Sequence, residues 1–361
     1  MPNITVVPKH QLEKPNPQPF YYFDQTTDSQ QWRPATSSSL EKNVEHQHQH
    51  DRAQSDKIHI ISWNVDFLVP AAIERMTAAL KYLSDLQSEH DAKNRAPTVI
   101  LFQEMVASDL QLIQQAPWIR EKFYITDIST SQWHSSYGTT TLIDRRLSVQ
   151  CVFRVPYALS VMDRDALFVD VNYQGSILRV CNTHLESLGS GIEVRPVQLK
   201  LASDFMHGIN DNDTDGGTEY QLPKPHAAIL AGDLNAFAPT DAAAPGECNL
   251  NDAFLATDGK ENTEKAYTWG YQQASWSGQK FPPARMDKVL FCGGVEALSF
   301  KKIGEGLKTT LDTYHSDDSG KDDASDRFEK VWVTDHLGLM ADFRILGPPA
   351  RQALDGGYID A

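Results

Sequence analysis

Six short segments, spread over most of the chain, close an apolar run with a side chain able to bind a metal ion or move a proton. They end in Asn64 and Asp66, Gln103 and Glu104, His184 and Ser187, Asp233 and Asn235, Asp287, and Asp335 with His336. One such ending is ordinary, because Asp, Asn and Ser commonly close strands and open turns. Repeated at nearly every strand end, the pattern predicts one rim where hard oxygen ligands and acid/base groups converge. Its most compact case is Ile229-Leu-Ala-Gly-Asp-Leu-Asn235, which reads as a buried strand with chemistry at its tip. Gly232 would let the backbone turn without a Cβ clash, and Asp233 and Asn235 would point to one side as a general base and its orienting amide. Magnesium needs one or two carboxylates, with water and substrate phosphate completing its shell, so Glu104 with Asn64 nearby would suffice. Two histidines then remain for a phosphate group.

These side chains need strands to carry them. Ile58 to Val65 and Thr98 to Phe102 have the β-branched, apolar content of central strands. Pro70 opens a helix whose buried face is expected to run through Ile73, Met76, Leu80 and Leu83. Ser108 is the expected cap of a second helix. Further strands are expected around 122–126, 138–143, 149–155, 166–173 and 176–183, forming antiparallel sheet, with a hairpin turn from Asn172 to Gly175. A helix over roughly 194–209, with Val197, Leu201 and Phe205 on one face, follows the His184 segment. Later strands are expected near 286–292, 331–333 and 338–345, with a solvated acidic loop from Asp312 to Asp326. Two runs of strands flanked by helices predict an α/β (α+β) fold, a four-layered sandwich of two mostly antiparallel sheets packed face to face with helices outside.

Residues 1–56 are rich in Gln, Pro, Ser and His and predict a largely disordered tail. The exception is Phe20-Tyr-Tyr-Phe23, an aromatic arm expected to dock on the domain. The alternating His46, His48 and His50 are read as an adventitious metal binder only. The catalytic domain is expected over 57–346, followed by a C-terminal tail, 347–361. The 361 residues carry a net charge of −15, which disfavours nonspecific coating of a phosphate backbone, since that depends on Lys and Arg displacing counterions. Four well-separated cysteines argue against a disulfide framework or a zinc site. With no apolar run long enough to span a bilayer and no secretory pattern, the expected setting is intracellular, in nucleus or cytoplasm.

In order, the blocks Ser-Trp-Asn-Val-Asp66, Leu-Phe-Gln-Glu104, Asn-Thr-His-Leu-Glu-Ser187, Ala-Gly-Asp-Leu-Asn235, Arg-Met-Asp-Lys288 and Thr-Asp-His-Leu-Gly338 resemble those of the endonuclease/exonuclease/phosphatase superfamily, from about Lys57 to Phe343. The resemblance implies that Glu104 is the carboxylate for magnesium or manganese, with Asn64 beside it and Asp335 close by. It further implies that Asp233 orients or deprotonates the attacking water while Asn235 holds it. His336, paired with Asp287, would meet the transition state, and His184 would donate to a nonbridging oxygen. Asp66 and Ser187 would act at the substrate or brace the site, and Arg195 and Gln198 would brace it. Within the superfamily the chain resembles the tyrosyl-DNA phosphodiesterase 2 family, through Trp63-Asn-Val-Asp66, His184-Leu-Glu-Ser187 and Tyr267-Thr-Trp269. That family usually has glycine at the position of Phe67 and arginine at that of Phe237.

The implied function is magnesium-dependent hydrolysis of a phosphodiester at DNA 5′ ends, with Trp269 and Trp276 as a base-stacking wall. The alternative is the same chemistry on another phosphoester, abasic DNA, RNA, a phosphoinositide or sphingomyelin. A third reading, a noncatalytic scaffold binding through the aromatic arm, predicts loss of Glu104, Asp233 or His336, and all three are present.

Overall fold

The computed structural model describes residues 8–26, 30–36, 55–93, 96–173, 175–209, 222–272, 282–312 and 328–347. Strands β1 (Asn16–Gln18), β2 (Tyr21–Asp24) and β3 (Gln31–Pro34) precede β4 (Lys57–Asn64). Helix α1 (Ala72–Lys93) joins β4 to β5 (Thr98–Met105), and α2 (Ala107–Gln115) and α3 (Pro117–Lys122) follow. Next come β6 (Phe123–Ile125), β7 (Gly138–Asp144), β8 (Ser148–Pro156), β9 (Asp165–Tyr173) and β10 (Ser176–His184). Helix α4 (Arg195–His207) joins β10 to β11 (Ala227–Asp233). The chain continues through α5 (Pro239–Glu247), β12 (Asn251–Asp252), α6 (Ala253–Ala256) and β13 (Asp287–Gly293). It then forms β14 (Val295–Ile303), β15 (Lys308–Asp312), β16 (Phe328–Trp332) and β17 (Gly338–Ile345).

Two large sheets result, ordered β1-β8-β9-β10-β11-β13-β12 and β14-β17-β4-β5-β7-β6-β2-β3. Each is antiparallel except at one central pair, β10 with β11 and β4 with β5. A parallel pair needs a long crossover, which α4 and α1 supply, and it brings two strand ends out side by side. Ile58, Ile60, Val169, Val180, Ile229 and Phe343 belong to the buried cluster between the sheets. On the outside, Leu199, Ala202 and Phe205 of α4 pack against Phe168 and Leu230, and Met76, Leu80 and Leu83 of α1 pack against Ile61, Ile100 and Phe102. Alternate residues of β4 serve different clusters, and every residue after Lys57 is buried, the polar His59, Ser62 and Asn64 included. The four layers are those expected.

Several local expectations differ. The Phe20 to Phe23 arm docks on the domain as expected, β2 lying on β6, but Asn16–Gln18 and Gln31–Pro34, expected within the disordered part of the tail, are strands too: β1 lies on β8 and β3 pairs with β2. A few aromatic anchors compensate for the polar composition. Phe20 is buried edge-on against Tyr124 at 5.4 Å, and the Trp32 Nε1–H donates to the Gln114 carbonyl at 3.2 Å. The cap of α2 is not Ser108: the Asp109 carboxylate accepts from the Val106 N–H at 2.8 Å. Ile73 and Val197 are exposed. On α4 the buried surface includes Arg195 and Gln198, polar residues that a purely apolar periodicity overlooks. The His46–His50 tract, Trp276, most of the acidic loop and the C-terminal tail beyond 347 lie outside the described residues.

One buried ion pair locks α4 to its sheet. Arg179 donates to both oxygens of Asp170 at 2.7 Å and to the carbonyls of Phe205 and Pro223, and both charged residues are fully buried. Removing one member leaves the other charge stranded without water. We therefore expect Asp170→Asn to lower unfolding free energy by about 3–5 kcal/mol in urea titration; a loss below about 1 kcal/mol, the scale of an exposed pair, would contradict this role.

Candidate active site

Strand register sets the site. His184, Asp233 and Asp287 lie in one row across β10, β11 and β13, and Asn64 is beside Gln103 across β4 and β5. His336 reaches the site from the segment entering β17. Gly232 keeps the first row straight, because a Cβ there would collide with the Thr183 carbonyl oxygen of β10. The glycine thus permits close approach of two strands, where a turn was expected, and the strand continues to Asp233.

Three non-glycine residues at the strand ends adopt left-handed backbone: Asp66 (φ 56°), Glu104 (φ 58°) and Asn235 (φ 49°). Glu104 falls where the β5–β7 register shifts between Phe102 and Met105. Such irregularities re-aim side chains, and left-handed residues cluster where a site over-determines them. Here the surroundings supply the hold: the Asp66 N–H donates to Asn64 Oδ1 at 2.9 Å, the Phe67 N–H to Glu104 Oε2 at 3.1 Å, and the Asn235 N–H to Asp233 Oδ1 at 2.8 Å.

Three groups converge on Asp233 Oδ2: Asn64 Nδ2 at 3.0 Å, His184 Nε2 at 3.3 Å and His336 Nε2 at 3.7 Å. Asn64 comes from one sheet and Asp233 from the other, so this bond spans the sandwich. Burial pushes the Asp233 carboxyl up to about 6, against the opposing charge of His336. The two imidazoles are driven apart. Burial alone would lower His336, but Asp287, which meets its Nδ1 at 2.9 Å, together with Asp233 and Asp335, outweighs it and holds the ring charged. Burial and the adjacent Arg164 guanidinium push His184 well below the usual histidine range. Arg164 donates from Nη1 to His184 Nδ1 at 2.6 Å, so the neutral ring carries its proton on Nε2, facing the site. One histidine is a cationic donor and the other a neutral one.

Glu104 Oε1 lies 3.8 Å from His184 Nε2. Burial pushes its carboxyl up to about 7, and the carboxylates of Asp66 and Asp335 add to that against His336. Among the described residues no Lys or Arg forms an ion pair with Glu104 or Asp335, whereas Asp66 is paired to Arg75 at 3.1 Å. A partly exposed cluster of hard oxygen donors with a deficit of positive charge fits a divalent cation of the magnesium class, and it contains no thiolate that would select a softer metal.

The remaining expected residues take supporting places. Trp269 Nε1–H donates to Asp335 Oδ2 at 2.7 Å, so the half-buried indole holds that carboxylate as well as edging the site. Asn235 Nδ2 donates to the Leu185 carbonyl at 3.1 Å, tying its loop to the one after His184. Ser187 Oγ accepts from Arg164 Nη2 at 3.2 Å. Two arginines went unrecognised. Arg75 binds Asp66 and the carbonyls of Asp66 and Val333, fastening the loop after β4. Arg164 fixes the His184 tautomer and lies over the Tyr137 ring at 4.9 Å, while Tyr137 stacks on Phe67 at 3.9 Å. Neither arginine stands at a strand end in an apolar pattern, so no local signal distinguishes it.

Residues 61–336 match the Endonuclease/Exonuclease/phosphatase family. None of the curated proteins matches the chain. Among solved structures, truncated TDP2 from Caenorhabditis elegans is similar at 20% identity, covering 80% of this chain and 97% of that one, with a TM-score of 0.57. TDP2 from D. rerio complexed with a single strand DNA product is similar at 19% identity, covering 80% and 99%, with a TM-score of 0.56. Mannosyl-6-phosphatase Bt3783 of Bacteroides thetaiotaomicron reaches 12% identity, covering 79% and 99%, with a TM-score of 0.52. With its family match spanning the rim from the end of β4 to His336, the chain belongs to the Endonuclease/Exonuclease/phosphatase family.

Proposed function

We propose that this chain is a divalent-metal-dependent phosphodiesterase that hydrolyses a phosphotyrosyl linkage at a DNA 5′ end. The observation that carries the chemistry is the convergence of Asn64, His184 and His336 on Asp233 within 3.0–3.7 Å. A buried carboxylate accepting from an amide is placed to orient a water and take its proton. The charged His336 Nε2–H and the neutral His184 Nε2–H supply two donors for oxygens on which negative charge grows, and Asp287 keeps the first ring charged as that happens. Asn64 would hold the Asp233 carboxylate in line, and Asn235 would fix the backbone that presents it. Glu104, with Asn64 and Asp335 beside it, would hold magnesium or manganese, which supplies Lewis-acid neutralisation of the phosphoryl oxygens.

The choice of DNA end rests on similarity to TDP2, one example of which carries a single strand DNA product, and on the half-buried Trp269 ring at the edge of the site. A tyrosine phenolate, with a pKa near 10, leaves more readily than a sugar alkoxide. A nuclear or cytoplasmic setting belongs to the same reading, and the described cysteines are free thiols. The second reading, another phosphoester, is favoured by the mannosyl-6-phosphatase among the similar structures. A panel of 5′-phosphotyrosyl, 3′-phosphotyrosyl and abasic oligonucleotides beside a phosphoinositide discriminates them, the first being expected to turn over fastest.

Three outcomes follow from the geometry. Activity should disappear in excess chelator and return with magnesium or manganese but not with a thiophilic ion; full turnover with metal content verified as zero would end the metal-dependent mechanism. Asp233→Asn and His336→Ala should each lower kcat by about 10²- to 10⁴-fold while keeping a cooperative unfolding transition, the range for positioned acid/base groups. Retention of about half the kcat on that scale would mean a misassigned role. Trp269→Ala should weaken binding of the DNA end by roughly 1–3 kcal/mol, the worth of one stacked base. Trp269→Phe, which keeps a ring but loses the bond to Asp335, separates stacking from positioning: if Phe restores binding yet not turnover, the Asp335 contact is what matters for the chemistry.

A further inference from the structure

A second cluster of metal-ligating side chains lies away from the catalytic rim, beneath the C-terminal end of α1. Its members are His59 near the start of β4, His90 in the last turn of α1 and Asp342 on β17, and one ligand atom of each lies within 4.8 Å of the others. His59 is five residues from Asn64 along β4, about 16 Å at the usual strand rise, so the two sites cannot share an ion. Within the sheet Asp342 and Thr98 flank His59 on either side, and the His90 ring stacks on that of His59 with centroids 3.9 Å apart. Both rings are buried, His59 being 2% and His90 8% exposed.

Each imidazole is oriented as a ligand would be. His59 Nδ1 meets Asp342 Oδ1 at 2.7 Å, and His90 Nε2 meets the Ala96 carbonyl at 3.1 Å. Carboxylate and carbonyl oxygens only accept, so these two nitrogens carry the protons. The opposite nitrogens, His59 Nε2 and His90 Nδ1, have no hydrogen-bond partner among the described residues. An imidazole that donates its outer N–H to a carboxylate or carbonyl is the usual arrangement around a bound metal. The charge states agree with it. Burial and the adjacent His59 push His90 below the usual histidine range, keeping it neutral. Burial would raise the Asp342 carboxyl, but hydrogen bonds from His59 and Ser299 bring it down to about 2. The neighbouring cations are already neutralised, Lys122 by Asp91 at 2.8 Å and Arg146 by Asp144 at 2.5 Å. Two buried oxygens of the same layer, Gln87 Oε1 one turn before His90 and Thr98 Oγ1 beside His59, lack any hydrogen-bond partner. Orphaned buried polar atoms of this kind mark the place of a water or an ion.

We propose that His59 and His90, with Asp342 behind His59, bind a divalent ion of the zinc class that clips α1 to β4 and β17. Imidazole donors select zinc, nickel or copper over magnesium, which sets this site apart from the oxygen-lined rim. Zinc–nitrogen bonds of about 2.0–2.1 Å need both ring planes to converge on the ion, so binding turns the His90 ring out of its stack. His59 and Asp342 are 283 positions apart, so the ion fastens segments distant in the chain and adds its binding free energy to folding.

The test uses the full chain carrying H46A/H48A/H50A, which removes the alternating histidines as competing ligands, in excess magnesium to fill the rim. Titration with cobalt(II) should saturate at one equivalent with the intense visible absorption of a four-coordinate imidazole site, and zinc should displace it. Zinc should also raise the midpoint of thermal unfolding, and further magnesium should not. His90→Gln keeps a donor for the Ala96 carbonyl but loses Nδ1, so the cobalt absorption and the zinc-dependent shift should both disappear. Asp342→Asn should weaken cobalt binding about 10- to 100-fold, the usual cost of removing the partner of a metal-bound histidine; it keeps the proposal testable if His90→Gln fails to fold. Absence of the cobalt absorption, or cobalt binding and a zinc shift that persist undiminished in both variants, would overturn the proposal and leave the cluster a hydrogen-bonded imidazole pair.

Discussion

The carboxylate of Asp233 is the point on which the two halves of the molecule depend. It sits at the end of a strand whose residues are all buried, and a charge there is tolerable only if donors meet it. One of those donors, Asn64, belongs to the other sheet, and another, His336, precedes a strand of that sheet. The sheets must therefore arrive in register at this end of the sandwich. A second polar tie lies directly below: Gln103 donates to Asn182 Oδ1 at 2.8 Å, and Asn182 donates to the carbonyls of Phe102 and Thr140. Buried amides of this kind tolerate few alternative packings, because each misplacement leaves a polar group unpaired.

From that register follows the electrostatic division of labour. Both histidines are buried and both approach the same carboxylate oxygen, yet opposite partners stand behind them. Asp287 behind His336 stabilises the cation, while Arg164 behind His184 excludes it. Two charged rings facing one carboxylate would repel each other; one charged and one neutral donor give two hydrogen bonds with a single added charge. The carboxylates of Glu104, Asp66 and Asp335 gather on the other side, where only Asp66 has an arginine. Their mutual repulsion is a cost in the protein alone, and a divalent cation would relieve it.

The surroundings of the site are built from stacked rings and paired charges. Phe67 stacks on Tyr137 and Phe237 lies beneath Arg195, so both ring positions are built into local stacks. Arg195 spends its guanidinium on Asp241 and backbone carbonyls.

Strand ends were legible from the sequence because their information is local. Apolar residues followed by an acid, amide or imidazole mark where a buried strand meets solvent, and this pattern suffices to nominate Asn64, Glu104, His184, Asp233, Asp287 and His336 and to predict a layered fold. The pairing of β1 and β3 was not legible, unlike the docking of the aromatic arm between them, since edge pairing uses backbone groups that any sequence carries. The buried face of α4 was misjudged for a related reason: Arg195 and Gln198 are buried by partners distant in the chain. The neutral state of His184 was likewise undecidable from its neighbours in sequence, because the guanidinium that sets it comes from the loop before β9, whereas the pairing of His336 with Asp287 followed from the family resemblance. The sequence by itself determined which groups the site contains. The tertiary structure decided which of them are charged, which face one another and what surrounds them, since electrostatics and hydrogen bonding act through distances that only packing of the two sheets creates.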